Sequence, residues 1–99
     1  MVVGVIRLRL RMSHIHSLKE KRALIKGFIT KTRNRFNIAV SEVAMHDSWQ
    51  NAEIGMCAVG NSESVMNSLM DKVLDFAERT LLVDVMEPEI EIIHIGELV

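Results

Sequence analysis

The sequence predicts an α+β fold with the element order β-α-β-β-α-β, and three observations carry that prediction. Residues 2–12 alternate strictly, with Val2, Ile6, Leu8, Leu10 and Met12 on one side and Val3, Val5, Arg7, Arg9 and Arg11 on the other, the period-2 signature of a half-buried strand. Two later stretches repeat their apolar residues at helical spacing, each behind a serine placed to cap it. Between them lie two short strand-like runs separated by a polar turn, the pattern of a hairpin.

The elements follow in order. After the first strand, Ser17 with Glu20 three residues on forms a capping box and starts the first helix. Leu18, Ile25, Phe28, Ile29, Thr32 and Phe36 give its inward stripe, while Lys19, Lys26, Lys31, Arg33 and Asn34 fall on the solvent side. Residues 37–45 (NIAVSEVAM) read as the second strand, HDSW as a turn, and residues 50–59 (QNAEIGMCAV) as the third strand, broken by Gly60-Asn61. The second helix spans 62–82 behind Ser62, with Glu63 favoured by the positive helix end. Its stripe is Val65, Met66, Leu69, Met70, Val73, Phe76, Ala77 and Leu81. Pro88 is placed in a connection, and residues 89–95 (EIEIIHI) are the fourth strand. Two right-handed βαβ units joined in this way give a ferredoxin-like βαββαβ split fold. The expected sheet is four-stranded and antiparallel, in the order 4-1-3-2, with both helices on one face.

Bulk composition narrows the functional classes. Ninety-nine residues, 48% hydrophobic, are enough for one domain with a core of its own. Cys57 is the single cysteine, so no intramolecular disulfide can form, and the cytoplasm is the expected setting. No apolar run approaches a membrane span, and arginines interrupt the N-terminal segment where an export signal would be apolar. The net charge of −1 argues against a uniformly cationic nucleic-acid binder. The charge is nevertheless segregated. Residues 1–45 carry ten Lys/Arg against two acids, and residues 46–99 carry two against eleven, which marks either a basic binding face or two halves that neutralise each other.

Three segments, SLKEKR at the first helix start, RNRFNIAVSEV leading into the second strand and DSWQNAEIG around the hairpin, resemble the YlxP-like family of small bacterial proteins, a domain of unknown function. The similarity extends over nearly the whole chain. It implies a ferredoxin-like fold, a bacterial cytoplasmic setting and no established activity. The translation and ribosome-maturation genes among which such members are often encoded imply an RNA or ribosome context, with no catalytic residues to carry over.

Three surfaces emerge as candidates. The first is the start of the first helix, where free N–H groups and Ser17, Lys19, Lys21, Arg22 and Lys26 could hold an anion or an RNA phosphate. Lys31, Arg33 and Arg35 would extend it along the helix. Its plainer reading is a solvated helix start, with Glu20 closing the cap and Lys21 or Arg22 lying over the core edge. The second is a cluster of loop residues, His14, His16, His46, Asp47 and Trp49, at one end of the sheet. These are ligand types zinc accepts, but solvated loop histidines are the stronger reading, and no metal or cofactor is assigned. Trp49 could stack a base, although an indole capping the end of the core is the plainer role. The third is an apolar patch on the sheet face away from the helices, made by Val3, Val5, Cys57, Val59, Ile93 and Ile95 with Arg7 at its border. It suits a homo-oligomer, a dimer first, or else is covered by the terminal Gly96-Glu97-Leu98-Val99. On the same face Arg9 and Arg11 are expected beside Glu53, Glu89 and Glu91.

No spacing of nucleophile, base and acid suggests an enzyme. Ferredoxin-like acylphosphatases hold an arginine in a glycine-containing loop after the first strand, and the loop here is SHIHS. The favoured expectation is a non-enzymatic binding module in an RNA, ribosome or translation context using its basic first helix. The alternative is a homo-oligomeric structural or regulatory domain that binds a small anionic effector.

Overall fold

The computed structural model describes residues 1–96. Its elements are β1 (Val2–Arg11), α1 (Leu18–Arg35), β2 (Ala39–Ala44), β3 (Asn51–Gly60), α2 (Glu63–Thr80) and β4 (Asp84–His94). The fold is α+β: four antiparallel strands form one sheet in the order β2-β3-β1-β4, with two helices. The central strands β1 and β3 alternate as their sequences do. Ile6, Leu8 and Leu10 of β1 and Ala52, Ile54 and Met56 of β3 are buried in the core that Ile25 and Phe28 of α1 and Met66, Met70 and Val73 of α2 complete. Both helices therefore share one sheet face, and the odd-numbered residues of β1 and β3 look out from the other.

Gly4 sets the approach of α2. A Cβ at this position would lie 2.7 Å from Met66 Sδ and 2.8 Å from Met70 Sδ, so the bare backbone lets two flexible thioethers settle onto β1. Both helices are capped as their sequences ask. Ser17 Oγ accepts from Glu20 N at 3.1 Å and Ser62 Oγ from Val65 N at 3.3 Å. At their far ends Phe36 meets Phe76 edge to face, with centroids 5.5 Å apart. Val65, expected in the inward stripe of α2, is exposed; the buried line runs through Met66, Met70, Val73 and Ala77.

β4 departs from the sequence reading. It begins at Asp84, five residues before the expected start, and runs through Pro88. Pairing with β1 shifts between Arg7↔Glu89 and Arg9↔Met86, and Glu87 takes a positive φ of 46°. Two residues of β4 thus oppose Leu8 alone, which is a β-bulge. Proline lacks the N–H a ladder needs, and an edge strand at a bulge is where a sheet tolerates that loss.

The register of β4 also moves the charged pairs. Arg7, not Arg11, is the centre of the network: it donates to Glu53 Oε1 at 2.7 Å and to Glu89 Oε1 at 2.8 Å. Arg9 reaches Glu53 at 3.4 Å and Glu87 at 3.9 Å. Glu91 lies across from Val5, and Arg11 lies across from Asn51 and Asp84, without an ion pair among the described residues. The hydrogen bond from Arg7, followed by its positive charge, holds the Glu53 carboxyl below its ordinary value.

Candidate functional site

The loop after β1 and the β2–β3 turn lie together at one end of the sheet, as the topology requires. Met12 N donates to Gln50 O at 2.8 Å, and Gln50 Nε2 donates back to Ile15 O at 3.4 Å. Ile15, the apolar residue inside SHIHS, is buried and plugs this end of the core. His14, His16, His46 and Asp47 stay exposed around it. Among the described residues no three of His, Cys, Asp and Glu gather into a group that could hold a metal. His46 instead donates from Nε2 to the carbonyl of Glu42 at 3.1 Å, and Trp49 is 46% exposed.

Lys21 ties the first turns of α1 to the β2–β3 turn. Expected among the anion-binding cations, it is 1% exposed and faces the core beside Ile25, Phe28 and Thr32 on the inward line of α1. Its ammonium donates to the carbonyls of Met45 and Ser48 in the turn. It also lies 2.9 Å from Glu42 Oε2, as a close ion pair rather than an aligned hydrogen bond. Met45 takes a positive φ of 64°, and the turn carbonyls converge on one cation. Lys21 is thus an internal clasp and is withdrawn from any external anion. The helix start is also closed, because the carboxylate of Glu20 accepts from His16 N at 3.4 Å. A carboxylate at that position competes with an incoming phosphate for the same N–H groups.

Three of the exposed cations of α1 share one flank, while Lys31 and Arg35, expected to extend it, lie toward the other side of the helix beside Phe76 and Thr80. Arg22, Lys26 and Arg33 are separated by four and seven residues, which places them within about 40° of one another around the helix. With Ile29 and Thr30 of α1 and Val40, Ser41 and Glu42 of β2 they line a cleft of about 530 Å³ between the helix and the edge strand. Arg33 donates to Val40 O at 3.1 Å. The carbonyls of Val40 and Glu42 are therefore occupied by Arg33 and His46, which blunts this sheet edge against a further strand. Lys19 lies exposed near the N-terminal end of the same helix. Sequence reading placed Arg22 and Lys26 with the cations of the helix start and Arg33 only on a basic flank extending from it. The spacing of Arg22, Lys26 and Arg33 was visible, but their closure against β2 depends on packing between remote segments.

The open sheet face brings together most of the predicted apolar patch. Val3 lies between Val59 and Ile93 and Val5 beside Cys57, while Ile95 exchanges backbone hydrogen bonds with Met1. Glu91 enters this end of the face next to Val5. The chain-terminal cover considered for the patch falls largely on residues 97–99, outside the described residues.

Comparison with known proteins gives a family without a function. An uncharacterised protein, YlxP of Bacillus subtilis (strain 168), is 39% identical over 62 residues, covering 63% of this chain and 67% of its own length. Among solved structures, the de novo designed protein Foldit4 matches with a TM-score of 0.52 at 16% identity, over 96% of this chain and 98% of its own. The At3g17210 protein of Arabidopsis thaliana matches with a TM-score of 0.51 at 15% identity, over 98% of each. At such identities these two structures speak to the general fold alone. Residues 3–90 match the model of the family described as protein of unknown function (DUF503), and the chain belongs to that family.

Proposed function

We propose that residues 1–99 act as one ferredoxin-like, non-enzymatic binding module for the phosphate backbone of RNA, in a cytoplasmic ribosome or translation setting. The observation that carries this reading is the cleft between α1 and β2, with Arg22, Lys26 and Arg33 on one wall. Phosphate contacts of this kind position a nucleic acid without reading its sequence. The open sheet face supports the same conclusion by contrast. Its arginines Arg7 and Arg9 are tied to Glu53, Glu87 and Glu89, and its central strands present Val3, Val5, Gly55 and Cys57 where a base-stacking sheet would need aromatic rings. Arg7 is thereby removed as a free phosphate ligand.

A volume of about 530 Å³ is also that of a small-ligand site, which favours a small anionic effector as the second reading. Titration of the protein with a short single-stranded RNA at several salt concentrations, with inorganic phosphate as competitor, separates the two. The RNA reading expects affinity that falls steeply with salt and is little affected by phosphate. Absence of RNA binding at low salt overturns it.

A further inference from the structure

We propose that the open sheet face is a two-fold interface with a second copy of this chain, an inference that goes beyond the RNA reading and does not rest on it. The face carries no helix among the described residues, yet its apolar end is continuous across three strands. Met1 pairs with Ile95, Val3 lies between Val59 and Ile93, and Val5 lies between Cys57 and Glu91, which marks the edge of the patch. Val59 is 68% exposed and Met1 49%. Beside them Val5, Ala39, Val43, Gly55 and Cys57 line a shallow hollow of about 320 Å³.

The pattern on this face fits its own rotated image. The two central strands, β1 and β3, are antiparallel, with Val3 opposite Val59, Val5 opposite Cys57 and Arg9 opposite Glu53. A two-fold axis parallel to the strands and running between them lays β1 of one copy over β3 of the other. Val3 then meets Val59 of the second copy, Val5 meets its Cys57 and Arg9 meets its Glu53, so apolar residues fall on apolar residues and cations on carboxylates. Such an isologous contact needs each patch to be its own complement, and these rows meet that condition. The charges near the centre are already paired, because Arg7 is bonded to both Glu53 and Glu89 and Arg9 reaches Glu53. Covering a paired, hydrogen-bonded network costs less than covering free ions. Four strands about 4.8 Å apart and some nine residues long give a face of roughly 600 Å² in projection, before side-chain relief is added, against about 800 Å² of accessible surface per partner in a standard interface.

The test is molar mass in solution. Light scattering and sedimentation equilibrium on the full chain, from micromolar to near-millimolar concentration, are expected to give twice 11.2 kDa. Val59→Lys places an ammonium in the patch and is expected to raise the dimer dissociation constant about a hundredfold or more. Val65→Lys is the control: Val65 is equally exposed, at 67%, but lies on α2 away from the face, and its variant is expected to keep the wild-type mass. Thermal melts of both variants report whether each folds. A wild-type monomer at all concentrations overturns the proposal, as does a dimer that Val59→Lys leaves intact. A monomer that dimerises only when residues 97–99 are removed also overturns it, by assigning the patch to the chain's own terminus.

Discussion

Lys21→Met is the substitution whose consequence follows most directly from the structure. Methionine keeps the length and apolar stem of the side chain and removes only the ammonium. What remains is the Glu42 carboxylate, 17% exposed, without the cation 2.9 Å away, and the carbonyls of Met45 and Ser48 without their donor. Removing one partner of a buried ion pair costs about 3–5 kcal/mol. Because this clasp lies near a loop end, water can reach part of it, and the lower figure, about 3 kcal/mol, is expected. For a domain of this size that corresponds to a fall in Tm of roughly 12–24 °C, within the 5–15 kcal/mol that holds such a fold together. Urea denaturation followed by Trp49 fluorescence and by far-ultraviolet circular dichroism measures it. The double variant Lys21→Met/Glu42→Leu is expected to recover part of the loss, since it no longer strands a carboxylate. A loss under about 1 kcal/mol in the single variant, or no recovery in the double, refutes the clasp.

Three further perturbations are specified by the structure. Gly4→Val drives a branched side chain into Met66 and Met70 and is expected to cost about 1–3 kcal/mol by overpacking, read as a lower urea midpoint; an unchanged midpoint contradicts the packing described. Ser17→Ala removes the acceptor for Glu20 N and is expected to cost about 1 kcal/mol, with reduced helix content near the melting point as its signature. Glu53 has a folded pKa below its ordinary 4.5, so its contribution is present above that value and is lost as pH falls through the folded one. Glu53→Gln should therefore flatten the acid limb of the stability-against-pH curve, and an acid limb identical to wild type contradicts the Arg7–Glu53 link.

The strands and helices were legible where residue type and position agree. β1 alternates, Ser17 and Ser62 stand where caps belong, and the inward residues of α1 and α2 recur at helical spacing. The misreadings share a cause: a local signal was overruled by a remote partner. Pro88 reads as a connection, but at the edge of the sheet a bulge absorbs its missing N–H. The pairing of Val3 with Ile93 already sets Glu89 opposite Arg7, which makes Arg7 rather than Arg11 the hub, and the bulge beyond it sets Met86 opposite Arg9 and Asp84 opposite Arg11. Lys21 sits at the right spacing for burial with Ile25, Phe28 and Thr32, yet its charge suggests solvent until the carbonyls of the distant turn supply its partners. The cleft was legible only as a row of cations, because its second wall, β2, arrives through tertiary packing.

The central claim, that the α1–β2 cleft takes an RNA backbone, is tested most directly by the salt dependence of RNA binding in the wild type and in Arg22→Glu/Lys26→Glu. These two side chains are exposed, so the fold should survive their reversal, whereas Arg33 also supports β2 and is left in place. Three phosphate contacts to a single strand give a slope of log K against log salt of about −2, and the double variant should lose roughly 1.4 of it together with most of the affinity at low salt. Equal slopes and affinities in the two proteins contradict the account.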